Sequence, residues 1–95
     1  MVETVSKSGK DLVDAINKVK NDVFNHGNIV LFNRGINYLN DDIKANVSPE
    51  LYDDFRTEKR CVYYESLYGD GEYTKHVIDD CVSVLDEIIE SIAVV

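Results

Sequence analysis

The last quarter of the chain carries a dense run of carboxylates. From His76 to Val95 there is no lysine or arginine, and five acidic side chains follow one another, namely Asp79, Asp80, Asp86, Glu87 and Glu90. On an α-helix, which rises about 1.5 Å per residue, they span about 17 Å, or about one charge every 3.3 Å. One strand of B-DNA carries a charge about every 3.4 Å along its axis. This spacing favours electrostatic docking on a basic protein, including mimicry of a phosphate backbone.

A solubilising face is the alternative interpretation of this run. Asp86 and Glu90 are four residues apart and repel each other on a helix, and Glu90 lies near the negative end of the helix dipole. A helix selected only for stability would carry lysines at such positions. These costs support docking, but the run taken alone slightly favours the solubilising face over a docking surface.

The charge of the whole chain agrees with a basic partner. The net charge is −8 over 95 residues, with five bases against four acids in residues 1–40 and five against fourteen in residues 41–95. Such a surface repels DNA, RNA and anionic lipid over a Debye length of about 8–10 Å. We predict no direct nucleic-acid binding and no membrane binding. The predicted partner is a basic protein surface, which can itself belong to a nucleic-acid-binding enzyme.

Four tyrosines lie within eleven residues, namely Tyr63, Tyr64, Tyr68 and Tyr73. Tyrosine is enriched in interface hot spots because it buries a large area with few rotatable bonds. Tyr64 and Tyr68 are four residues apart, so we expect some of the group to pack in the core. For the four tyrosines, a role in an interface and packing in or around the core are equally favoured. Tyr63, Tyr68 and Tyr73 are added to the five acids as candidate partner-binding residues.

A basic cluster, Arg56, Lys59 and Arg60, occupies one helix face at spacings of three and four. It could bind a phosphate ligand, and this is one alternative function. If two helices fold back on each other around residue 70, Asp86 comes opposite Arg56, and Asp79 or Asp80 comes near Arg60. Cross-helix ion pairs are the interpretation that we favour for this cluster.

No motif for catalysis or metal binding is found. His26 and His76 lack a second ligand at metal-binding spacing, and Cys61 and Cys81 lack the Cys-x-x-Cys spacing of zinc and redox sites. We predict a protein that is not an enzyme, with no catalytic residue, metal site or cofactor. The two cysteines are predicted to be buried thiols in a reducing compartment.

Helical periodicity dominates the chain. Leu12, Ile16, Val19 and Val23 follow a possible Ser8 cap at steps of four, three and four. Residues 29–46 are ambiguous, because the apolar spacing predicts a helix while Gly35 and the asparagines suit a β-hairpin at about 29–39. The spacing favours the helix.

Two further helices are predicted with clearer boundaries. Ser48 and Pro49 begin one that extends to about Tyr68, and the other covers about residues 72–93. The short connection near residue 70 makes them antiparallel, with Cys61 opposite Cys81.

The predicted fold is therefore mainly α, a small antiparallel three- or four-helix bundle in a single domain over residues 1–95. The alternative is α+β with the hairpin. The chain has no apolar run of about 20 residues and no signal-peptide pattern at its start, so we predict a cytoplasmic protein.

Size, acidity and the lack of catalytic groups predict a small acidic protein-binding domain. We expect an inhibitor or antagonist that docks on a larger protein, as phage-encoded inhibitors and toxin-neutralising proteins do. This step is an analogy from size and charge. The alternatives are a self-associating structural or adaptor domain, with a homodimer as its simplest form, and the phosphate binder.

Overall fold

The computed structural model describes residues 9–26, 29–69 and 73–93. They form five α-helices: α1 (Gly9–His26), α2 (Ile29–Tyr38), α3 (Asn40–Asn46), α4 (Pro49–Tyr68) and α5 (Thr74–Ala93). No strand occurs in these ranges. The prediction of a mainly α, small helical bundle is confirmed, and the alternative hairpin at 29–39 is wrong.

The ambiguous segment is helical because its apolar residues share one buried face. Phe32, Ile36, Leu39 and Ile43 all lie in the core. The predicted single helix is divided at Leu39 into α2 and α3, which is why five helices form instead of three or four. The N–H of Leu39 still donates to the Gly35 carbonyl (3.2 Å), and the N–H of Ile43 donates to the Leu39 carbonyl (2.9 Å). The break is therefore a local distortion that keeps the helical bonding pattern.

Capping fixes the start of α4 as predicted. The Ser48 hydroxyl accepts the N–H of Leu51 at 3.2 Å, and Pro49 occupies the first helical position, where an N–H would have no helical partner. At the end of the helix the N–H of Gly69 donates to the Glu65 carbonyl at 2.9 Å. The predicted cap at Ser8 lies outside the described residues, as do Gly27, Asn28 and Asp70, whose residue types also favour helix caps.

All the described helices contribute to one apolar core. Its fully buried side chains are Phe32, Phe55, Leu12, Ile16, Ile36, Ile43, Leu85, Ile88, Val62 and Cys81. The most extensive helix contact joins α4 and α5, while α2 packs on the other side of α4 and α1 packs against α2 and α5. The Thr74 hydroxyl donates to the Glu65 carboxylate at 2.9 Å, which confirms the antiparallel register predicted from the turn. Among the described residues, no helix combines the length and apolar character needed to cross a bilayer.

Candidate functional site

The five predicted carboxylates lie on the side of α5 that faces away from the core. Asp80, Asp86, Glu87 and Glu90 are exposed and Asp79 is half-exposed. The opposite side of α5 is buried, because Cys81, Leu85 and Ile88 recur there at helical spacing. The five acids, Asp79, Asp80, Asp86, Glu87 and Glu90, are called the acidic face below.

Two acids of this face form ion pairs. Asp86 pairs with Lys20 of α1, whose side chain is only 18% exposed, and Asp79 pairs with Lys75, one turn earlier on α5, at 2.8 Å. The hydrogen bond to Asp79, together with its charge, raises the pKa of Lys75. The predicted pairing of Asp86 with Arg56 is wrong, because α1 supplies the cation instead. Within the described part of the chain, Asp80, Glu87 and Glu90 have no ion-pair partner.

The acidic face continues onto α4. Glu58 is half-buried beside α5, and its burial raises its pKa, as do the negative charges of Asp80 on α5 and Asp54 on α4. Like charges therefore meet across the α4–α5 contact, where the sequence had predicted Arg60 beside Asp79 or Asp80. No such Arg60 pair forms in the described residues. We call the acidic face together with Asp54 and Glu58 the acidic surface.

The basic cluster faces the other neighbour of α4. Arg56, Lys59 and Arg60 line a cavity of about 250 Å³ with Asn37 of α2 and Tyr63 of α4. This basic cavity lies on the α2 side of α4, whereas Glu58 lies on the α5 side. The one ion pair of the cluster in the described residues is a contact of 3.6 Å between Arg56 and Asp53, three residues apart and exposed. Helix α4 thus carries Glu58 on its α5 side and the basic cluster on its α2 side.

The candidate tyrosines do not enter the core. Tyr63, Tyr64, Tyr68 and Tyr73 are 48%, 57%, 77% and 61% exposed. The expectation that some of them pack inside is wrong, since Tyr64 and Tyr68 stack on each other at a ring-centroid distance of 6.3 Å on the surface.

The structure does not bring the three chosen tyrosines together with the acids as one patch. Tyr63 lies with the basic cavity, and Tyr68 and Tyr73 lie at the end of the α4–α5 pair. The tyrosine that packs on the core is instead Tyr52, whose ring centroid lies 6.4 Å from that of Phe55.

A second cavity was missed by the sequence analysis. It measures about 440 Å³ and lies between α1 and α2, lined by apolar side chains together with Lys18, Arg34 and the exposed Tyr38. Gly35 keeps the two helices close here, because a Cβ at this position would lie 3.0 Å from a Val19 methyl. In the sequence, the indication of this cavity was Tyr38, an aromatic residue that does not fall on the apolar helical spacing of its segment.

The two cysteines are neighbours with different environments. Burial raises the pKa of Cys81 to about 12, and the charges of Glu58 and Cys61 act in the same direction. Cys61 itself is exposed, so the prediction that both thiols are buried is wrong for this residue. It follows Asp54 and Glu58 along the same side of α4, at the open edge of the α4–α5 contact.

The side chains that could hold a metal are scattered. His76 is exposed, and the described residues contain no group of three or more histidines, cysteines or carboxylates arranged to hold an ion. The side chain of His26 lies outside the described part. Comparison with protein-family models, with curated proteins and with solved structures found no match to this chain.

Proposed function

We propose that the chain is a small acidic protein-binding domain that acts as an antagonist. It docks its acidic surface on a basic, nucleic-acid-binding surface of a larger protein. The observation that carries this proposal is the separation of charge across α4, with Glu58 beside the acids of α5 and Arg56, Lys59 and Arg60 on the opposite side.

This arrangement costs folding free energy. Phe55 and Val62 hold the apolar side of α4 in the core. This orientation turns Arg56 and Lys59 towards α2, so they do not compensate the acids beside α5. Instead Glu58 loses hydration beside two like charges, which raises its pKa. Like-charge neighbours on a helix destabilise it by about 0.2–0.5 kcal/mol a pair. An uncompensated cost of this kind supports selection for binding.

The acidic surface has the properties of an electrostatic docking site. Asp80, Glu87 and Glu90 are exposed and free of ion pairs in the described residues, so they can meet a partner's arginines directly. Lys20 and Lys75 hold the carboxylates of Asp86 and Asp79 in place, which lowers the entropy cost of ordering them on binding. A partner that normally holds a phosphate backbone presents cations at a matching spacing, and such complementarity raises association rates and specificity.

The cytoplasm is the compartment that we propose. Cys61 is a free, exposed thiol and Cys81 is free and buried. A reducing environment preserves an exposed thiol of this kind.

The test is a pair of charge-matched variants used as bait in a pull-down from the source cells. Glu87→Lys/Glu90→Lys changes the acidic face, while Asp14→Lys/Asp41→Lys makes the same charge change on α1 and α3. All four positions are exposed, so both variants should keep the helical circular dichroism spectrum of the wild type. We expect the wild type and the control to retain the same partner and the Glu87/Glu90 variant to lose it.

Two further readouts make this test specific. High salt and a short DNA duplex should each release the partner, because both compete for its basic surface. Equal retention of the partner by both variants would refute the acidic docking site. Binding that resists salt, together with a stable dimer in light scattering, would favour the self-associating alternative.

A further inference from the structure

The basic cavity is separate from the acidic surface and lies on the other side of α4. Arg56, Lys59 and Arg60 converge on one opening, although the chain has a net charge of −8. Three cations that line one cavity repel one another, and the one carboxylate paired with them in the described residues is the exposed Asp53, 3.6 Å from Arg56. A bound anion would therefore stabilise the group.

Two of the three cations are positioned to receive that anion. Lys59 is half-buried, and its ammonium donates to the Asn40 side-chain carbonyl at 3.0 Å, which also accepts the Tyr52 hydroxyl at 3.2 Å. These bonds hold the Lys59 ammonium in one place beside the cavity. Arg60 forms no ion pair within the described residues, so its guanidinium keeps its donors available. Guanidinium groups bind phosphate through two parallel hydrogen bonds.

Asn37 and Tyr63, the other two residues that line the cavity, indicate which chemical group is attached to the bound anion. The Asn37 amide group donates to the carbonyl and the side-chain oxygen of Asn33, at 2.9 and 3.2 Å, which leaves its own side-chain oxygen as an acceptor. That oxygen therefore suits a hydroxyl or amino group of the ligand. Tyr63 is 48% exposed and offers a ring on which a flat ring can stack.

We propose that the basic cavity binds a nucleoside monophosphate. The phosphate lies between Lys59 and Arg60, with Arg56 adding charge, the base stacks on Tyr63, and a hydroxyl or amino group donates to Asn37. The volume of about 250 Å³ is below the usual range of about 300–1,000 Å³ for drug-sized ligands. The site therefore suits a monophosphate, and part of the nucleoside stays in solvent.

The test is an NMR titration of the full chain with AMP at constant ionic strength. We expect amide shifts centred on Asn37, Lys59 and Arg60. Arg56→Gln/Arg60→Gln should weaken AMP binding by about tenfold or more, since the Arg60 contact and the nearby charge of Arg56 are both lost. The control Lys10→Gln/Arg34→Gln removes the same charge at exposed positions outside the cavity, and it should bind AMP like the wild type.

Two further ligands, phenyl phosphate and inorganic phosphate, and one further variant test whether the ligand is a nucleoside. Phenyl phosphate should bind more weakly than AMP, because it has no donor for Asn37. Tyr63→Leu should weaken AMP binding about threefold to tenfold and leave inorganic phosphate binding unchanged, since only stacking is removed. Failure of millimolar AMP to shift these amides, or an equal loss of affinity in the control variant, would overturn the site. AMP and inorganic phosphate binding with equal affinity would overturn the assignment of a nucleoside.

Discussion

Glu58 is the residue at which the cost of the charge arrangement can be measured. Its pKa is raised above the ordinary value of 4.5 by burial and by the charges of Asp80 and Asp54. An acid with a raised pKa binds its proton more tightly in the folded state than in the unfolded state. Stability therefore falls as the pH rises through the interval from 4.5 to the folded pKa, and the loss persists at higher pH.

Glu58→Gln should raise the free energy of unfolding at pH 7 by about 0.2–0.5 kcal/mol, because the repulsion is removed. The difference from the wild type should shrink as the pH falls and vanish below pH 4.5, where Glu58 becomes protonated in both states. Urea denaturation at several pH values measures both effects. Glu50→Gln is the control: Glu50 is in the first turn of α4, where a carboxylate is favourable, so this change should lower stability at pH 7. A Glu58→Gln variant less stable than the wild type at pH 7 would contradict the prediction.

At the scale of the helices, α1 and α2 approach each other closely at Gly35. Glycine inside a helix costs about 0.5–1 kcal/mol relative to alanine. A Cβ at Gly35 would lie 3.0 and 3.2 Å from the two Val19 methyl carbons, which is tighter than ordinary contact. The glycine is kept because the approach of the helices outweighs its own helix propensity.

A double-mutant cycle tests this balance. Gly35→Ala alone should bring no gain in stability, because the contact with Val19 offsets the improved propensity. In a Val19→Ala background the methyl groups are gone, and Gly35→Ala should then stabilise by about 0.5–1 kcal/mol. Urea denaturation of the four proteins gives the coupling. Strictly additive effects would show that the close approach does not limit this position.

Much of the helical architecture could be predicted from spacing and caps. Ser48 and Pro49 begin α4 as predicted, and Leu85 and Ile88 belong to the buried side of α5. Spacing gives the centre of a helix's apolar arc, here Phe55 and Val62 on α4. The spacing does not show which neighbouring helix covers each side of this apolar surface.

The flanks of α4 explain the wrong site predictions. From the sequence, the one helix identified as a neighbour of α4 was α5. Arg56, Arg60 and Cys61 were therefore all expected to face α5. In the structure α2 covers the flank with Arg56 and Arg60, and Cys61 lies at the open edge beside α5. This choice depends on the packing of α2 against α4, a tertiary contact that no local pattern encodes.

At the scale of the whole molecule, repulsion among carboxylates opposes a small number of ion pairs. The Arg56–Asp53 and Lys75–Asp79 pairs are largely exposed, and such pairs contribute about 0–1 kcal/mol. The net charge of −8 acts over the whole chain. Salt shortens the Debye length from about 10 Å at 0.1 M to about 3 Å at 1 M and so screens the longer-range repulsion most.

We therefore expect Tm to rise by a few degrees between 0.1 and 1 M NaCl. Glu87→Lys/Glu90→Lys should have the higher Tm at low salt and a smaller rise, because part of the repulsion is already removed. Thermal unfolding followed by circular dichroism measures both proteins. A Tm that falls as NaCl is added would mean that the ion pairs, including Lys20–Asp86, outweigh the repulsion.

The separation of charge across α4 also gives the molecule an orientation in an electric field. The principal extents are 46 × 25 × 19 Å, and α4 and α5, with 20 residues each, are about 30 Å long. Acids along one flank of α4 and bases along the other create a dipole moment directed across these helices. The field of a cationic partner exerts a torque on this dipole before contact and turns the carboxylates of α5 towards the partner. The molecule therefore approaches the partner with its long side and with the carboxylates of α5 in front. This orientation increases the fraction of encounters that lead to binding.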